Sequence, residues 1–148
     1  MAVGPIINPT NLKIEGFYCQ DNRSSHVLIL VGQDIRDRIP EGIIIDDYDV
    51  LTPPEELIRL EEVIDLHFEL INKSVCTVSG DKVGKVSDFA TDLDSLFIHK
   101  LYVSQSIVKH LTGGSLVVDR NQITEITADK IIIEELLKTA SSRATVTL

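Results

Sequence analysis

The segment Ile43-Ile44-Ile45-Asp46-Asp47 recurs 88 positions later as Ile131-Ile132-Ile133-Glu134-Glu135. The match extends without a gap, because Val27–Asp47 lies on Ser115–Glu135 and brings Leu28 onto Leu116 and Ile35 onto Ile123. Only 5 of the 21 positions are identical, yet the apolar register holds through most of the block. An offset of 84 instead superimposes Ile14 on Ile98 and Tyr18 on Tyr102, which puts a gap between the two alignments. Self-similarity at a fixed spacing is the mark of a repeated structural unit. A chain of 148 residues is long enough for two small modules, and that is the expected organisation.

The modules are expected to be β. Val and Ile are abundant and there is no Trp, and β-branched side chains fit a pleated, half-buried surface. Lys73–Val78 reads as a short strand, Ser79-Gly80-Asp81-Lys82 as a turn and Val83–Phe89 as the return strand. Phe97, His99, Leu101 and Val103 alternate with Ile98, Lys100 and Tyr102, the period of a strand. Ser106–Leu111 reads as one or two helical turns stopped by Gly113-Gly114. Leu116–Val118, Gln122–Ile126 and Lys130–Glu134 follow as short strands. Closely spaced short strands point to a small barrel or sandwich.

One stretch carries a helical pattern. Thr52-Pro53-Pro54-Glu55 has the form of a capping box, with Pro53 at the first helical position and Glu55 at the third. Leu57, Leu60 and Ile64 then share a face, so a helix over about Pro53 to Leu66 is expected to divide the halves. The expected layout is a first repeat at 1–51, a connecting helix at 52–67, a second repeat at 68–138 and a frayed tail at 139–148.

The run Gly80-Asp81-Lys82-Val83-Gly84-Lys85-Val86-Ser87-Asp88 resembles the opening hairpin of the PRC-barrel domain. That module occurs in the H subunit of photosynthetic reaction centres and at the C-terminus of the ribosome maturation factor of the small subunit. The Leu101-Tyr102-Val103 and Ile131-Ile132-Ile133 segments sit where such a domain has strands, so the resemblance covers about Leu70 to Leu136 and, more weakly, Ile6 to Leu51. It implies an all-β fold of two small PRC-type barrels in tandem, joined by the amphipathic helix. It also implies docking onto a larger assembly. Independently of the family, Gly80 suits turn dihedrals that a Cβ makes costly, and Gly84 inside a strand suggests a bulge. These two glycines are the expected fold-critical positions. In the first copy the counterpart of the Gly80–Gly84 hairpin falls before Met1, so that barrel is expected to lack its opening strand. An open edge invites another strand, from a second copy or from a partner.

The triple isoleucines bear on interaction. Ile43 and Ile45 share one strand face while Ile44 points oppositely, and Ile132 is likewise opposed to Ile131 and Ile133. A barrel has one interior, so Ile44 and Ile132 need cover from outside it. That cover comes either from the chain itself or from another protein. These two residues are the candidate interface.

Charge and motifs narrow the chemistry. Residues 1–65 hold 5 Lys/Arg against 13 Asp/Glu, and residues 66–148 hold 9 against 10. So acidic a surface repels phosphate backbones, and direct nucleic-acid binding is not expected. No apolar run approaches the roughly 20 residues that span a bilayer, and no signal peptide is apparent at Met1–Pro5, so a cytoplasmic protein is expected. Cys19 and Cys76, each alone in an apolar-alternating segment, read as reduced and buried. Gly80–Lys85 has three residues between its glycines where a phosphate loop needs four, and no G-x-G-x-x-G occurs. His26, His67, His99 and His110 show no ligand spacing, and Asp46, Asp47 and Asp49 do not fit a calcium loop. No catalytic, cofactor or metal residues are assigned. The reading is a non-catalytic adaptor or assembly factor with an unidentified protein partner. The alternative is a scaffold that self-associates by strand-edge pairing, a homodimer in its simplest form. The loops Gln20–His26 and Asp88–Leu96 are the expected carriers of specificity.

Overall fold

A computed structural model of the chain describes residues 1–20, 25–39, 41–105 and 115–135. Strands make up 54% of it and helical turns 17%, so the class is mostly β. The expected helical turns at Ser106–Leu111 and the tail lie outside the described residues. The described residues fall into two compact units, one drawn from Met1–Phe68 with Leu93–Phe97, the other from Glu69–Asp92 and the residues after Phe97.

In the first unit β1 (Ala2–Asn8), β2 (Lys13–Gln20) and β3 (Val27–Val31) form an antiparallel sheet in that order. Pro5 sits in β1, an edge strand, where its missing N–H costs no ladder bond. A separate antiparallel ribbon is made by β4 (Ile35–Ile39) and β5 (Gly42–Ile45). Ile6, Ile7, Leu12, Ile14, Ile29 and Leu30 form the core. Leu96 joins them from the Leu93–Phe97 segment, its carbonyl accepting the Ile14 N–H at 2.9 Å.

The expected continuous helix is not there. The stretch 52–67 belongs to the first unit and breaks into a 3-10 turn at Pro54–Glu56, another at Ile58–Leu60, and the short helix α1 (Glu61–Asp65). Two local causes act. Thr52 is taken up in a backbone pair with Ile29, at 2.7 and 3.0 Å, and its hydroxyl donates to the Val50 carbonyl, so it caps nothing. Pro54 holds Pro53 extended at ψ 143°, and Leu57 leaves the helical region at ψ 72°. The apolar stripe survives the break, since Leu57, Leu60 and Ile64 are all half-buried.

In the second unit six strands form one sheet that curls into a half-barrel. They are β6 (Ser74–Thr77), β7 (Lys82–Thr91), β8 (Ile98–Gln105), β9 (Ser115–Asp119), β10 (Ile123–Ile126) and β11 (Lys130–Ile133). The order is β10-β11-β6-β7-β8-β9, antiparallel throughout except that β11 runs parallel to β6. Leu70, Val75, Val86, Ile98, Leu101, Val103, Val118, Ile131 and Ile133 fill the core. Strict alternation along β8 fails at His99. The ladder pairs Ala90 with Lys100 but Thr91 with Ile98, so His99 is a bulge residue. Ile98 thereby turns inward with Leu101 and Val103, and His99 is exposed.

The two units share their registers. The pairs Ile35–Ile45, Asp37–Ile44 and Arg38–Ile43 stand 88 positions before Ile123–Ile133, Glu125–Ile132 and Ile126–Ile131, with the irregularity at the same step. Between β1 and β2 both irregularities, after Ala2 and after Ile6, return 84 positions on, after Val86 and after Ala90. A 3-10 turn links β3 to β4 at Gly32–Asp34 and β9 to β10 at Arg120–Gln122. Leu12 and Leu96, also 84 apart, share positive φ values of 55° and 64°. Among the described residues of the first unit no strand stands beside β5 as β6 stands beside β11.

That difference sets burial. With β6 beside it, β11 buries Ile131 and Ile133 completely, at 0% exposure, whereas Ile43 and Ile45 of β5 remain half-buried. Truncating Ile131 or Ile133 to Ala is expected to cost about 2–5 kcal/mol. The same change at Ile43 or Ile45 should cost less than half as much in urea titrations, and equal costs would refute the contrast. The glycines separate similarly. At Gly84 a Cβ would stand 2.1 Å from the Ser104 carbonyl oxygen, a backbone atom. At Gly80, φ 96°, it would meet open space. Gly84→Ala is therefore expected to destabilise by about 3 kcal/mol or more, and Gly80→Ala by only about 1–2 kcal/mol from its left-handed backbone.

Candidate functional site

The ribbon of β4 and β5 is a two-stranded sheet of its own among the described residues. β5 carries three consecutive isoleucines, a composition suited to a strand with a neighbour on both sides. Among the described residues it pairs only with β4. Its outer edge of N–H and C=O groups therefore faces no described strand. Ile44 points away from Ile43 and Ile45 and is 37% exposed, Ile39 at the end of β4 is 44% exposed, and Tyr48 just beyond β5 is 52% exposed. Ile39 and Ile44 fall on one face of the ribbon, opposite Gly42 and Asp37, and neighbouring exposed apolar side chains are the kind of surface that marks an interaction site.

Acidic groups bracket the strand. Glu41 precedes β5, and Asp46 and Asp47 follow it, all exposed. Asp46 meets the Arg36 guanidinium at 3.4 Å, but both side chains are about 70% exposed, so the pair contributes little. One carboxylate oxygen of Asp47 accepts the Asp49 N–H at 3.2 Å and holds the turn Tyr48–Val50.

The other candidate residues lie elsewhere. Ile132 belongs to the second unit, half-buried on β11 with its carbonyl accepting the Thr124 hydroxyl at 3.0 Å. Gly80 closes the β6–β7 turn, donating its N–H to the Thr77 carbonyl at 2.9 Å. Gly84 packs its bare Cα against β8. Of the loops expected to carry specificity, residues 21–24 lie outside the described residues. Asp88–Leu96 does not form a free loop. Asp88–Thr91 is strand, and Leu96 is buried in the first unit. Phe97 pairs with Lys13, whose ammonium lies 5.6 Å from the ring centroid. That tie was not visible in the sequence, because Asp88–Leu96 reads as a loop and Phe97 as the start of the strand after it.

Both cysteines are free. Burial pushes the Cys19 thiol up, and Tyr18 beside it likewise, so Cys19 is a protonated, packed side chain at neutral pH. Cys76 is half-buried on β6. Among the described residues no group of three or more His, Cys, Asp and Glu side chains is placed to hold a metal ion. No described helix is long and apolar enough to cross a membrane. Compared with known proteins, the sequence matches no protein-family model and no curated protein.

Proposed function

We propose that the chain is a non-catalytic protein-binding adaptor or assembly factor, working in the cytoplasm and built from two PRC-type barrels that arose by tandem duplication. Shared registers, shared bulges and the paired left-handed leucines support the duplication, since accidental likeness between strand-rich segments does not reproduce irregularities. The PRC assignment rests on the Gly80–Asp88 hairpin resemblance, with Gly80 in a left-handed turn and Gly84 against a neighbouring backbone.

One observation carries the adaptor reading. The same Ile-Ile-Ile strand is integrated into a six-stranded sheet in the second unit and stands in a two-stranded ribbon in the first, with Ile39, Ile44 and Tyr48 exposed. A marginal two-stranded ribbon with exposed apolar side chains is stabilised by what it binds. The acidic first half favours a protein partner over nucleic acid. A self-associating scaffold is the second reading, favoured by the same free edge.

Ile44→Lys discriminates. Because Ile44 is exposed, the variant should keep the melting temperature of the parent chain, and a tagged parent chain should recover one stoichiometric partner from native lysate that the variant does not. A variant that unfolds would show that Ile44 is covered by the chain itself. Recovery of the protein alone, with a solution mass that grows with concentration, would replace the adaptor with the scaffold.

A further inference from the structure

We infer that the outer edge of β5 is an acceptor site for a basic, extended segment of a partner protein, which adds as a strand running parallel to β5. The inference rests on the adaptor reading and specifies its site and ligand chemistry.

The second unit shows what such a position takes. There Lys130, Ile131, Ile132 and Ile133 stand opposite Ser74, Val75, Cys76 and Thr77 of β6, in parallel. Moved back 88 positions, the acceptor residues are Gly42, Ile43, Ile44 and Ile45. The donor residues facing Ile43 and Ile45 correspond to Val75 and Thr77, both buried, so they are β-branched and of moderate size. The donor residue facing Ile44 corresponds to half-buried Cys76 and is less restricted. Gly42 adds no side chain at the entry, and the space where its Cβ would stand is open.

Charge selects the donor's flanks. Glu41 lies at the entry to β5, and Asp46 and Asp47 at its exit. In the second unit the strand at the matching place is preceded by Lys73, and the turn that follows it gives the Ser79 N–H to the Glu135 carboxylate at 2.8 Å. Glu135 is the counterpart of Asp47, 88 positions on. A donor with Lys or Arg on either side of its apolar positions therefore meets carboxylates at both ends. A second copy of this chain fits worse. Two β5 strands related by a two-fold axis pair antiparallel, which brings Glu41 of each beside Asp46 and Asp47 of the other, and like charges across a strand pair are unfavourable.

The test uses the full chain and the fluorescently labelled peptide Lys-Ser-Val-Ser-Thr-Val-Lys, patterned on β6 with its cysteine replaced. Saturable anisotropy is expected, together with slowed hydrogen exchange at Gly42–Ile45. Affinity should fall about tenfold or more in the double variant Asp46→Lys/Asp47→Lys, and similarly when the peptide backbone is N-methylated at its second valine, the counterpart of Val78, whose N–H donates to the Ile133 carbonyl at 3.0 Å. No saturable binding, or binding that leaves the β5 amides unprotected, would overturn the site. A chain whose mass rises with concentration, and reverts to monomer in the double variant, would overturn the choice of occupant in favour of a second copy. A cellular partner recovered equally by the parent chain and the double variant would remove β5 as its site and leave the adaptor reading standing.

Discussion

The parallel pairing of β11 with β6 is the contact on which the second unit's single sheet depends. Without it the order β10-β11-β6-β7-β8-β9 separates into a two-stranded ribbon and a longer antiparallel sheet. The first unit, where no described strand takes the place of β6, shows just that division into β4-β5 and β1-β2-β3. The pairing joins segments far apart in sequence, so its chain-closure cost has to be offset by burial. Val75, Ile131 and Ile133 supply that burial, each at 1% exposure or less.

Curvature comes from a second, local device that both units keep. The bulges in β1–β2 and β7–β8 fall at equivalent steps, and each adds a residue to one strand and bends the sheet there. Leu12 and Leu96 complete the corner with left-handed backbones that cost a leucine about 1–2 kcal/mol each. Both side chains are buried, so hydrophobic burial of comparable size holds each in place. A bulky residue kept in that conformation twice, at equivalent positions, marks the turn as part of the module's geometry.

The sequence carried the class, most strand positions and the 88-residue offset in plain view, because β-branched runs, turn residues and repetition are local signals. What it hid was non-local. Alternation along Phe97–Val103 put His99 on the same strand face as Leu101 and Val103, and only the pairing of β8 with β7 reveals the bulge that separates them. The stripe Leu57, Leu60, Ile64 predicted a buried face correctly and a continuous helix wrongly, since Thr52 is drawn into pairing with Ile29 by a strand distant in sequence. Leu96 gave no sign that it fills the core of a unit to which its neighbours in β7 and β8 do not belong. Of the candidate site, Ile44 was legible as an apolar residue on the wrong face of a strand. The acidic bracket of Glu41, Asp46 and Asp47 was legible only as charge, because its meaning depends on which edge of β5 is free.

That bracket resolves a tension in the fold. A free strand edge with apolar neighbours is an aggregation hazard, and soluble proteins blunt such edges with charge. Placing the charges at the two ends of β5, and not within it, leaves Gly42–Ile45 competent to pair. It also makes pairing with an identical edge unfavourable at both ends. Arg36 does not undo this, because its contact with Asp46 is solvent-exposed and screened. The same carboxylates that discourage self-association attract a basic donor, and they do so most at low ionic strength, where their field reaches furthest. An edge guarded in this way is selective by electrostatics and permissive by backbone, a combination suited to a transient, exchangeable partner strand.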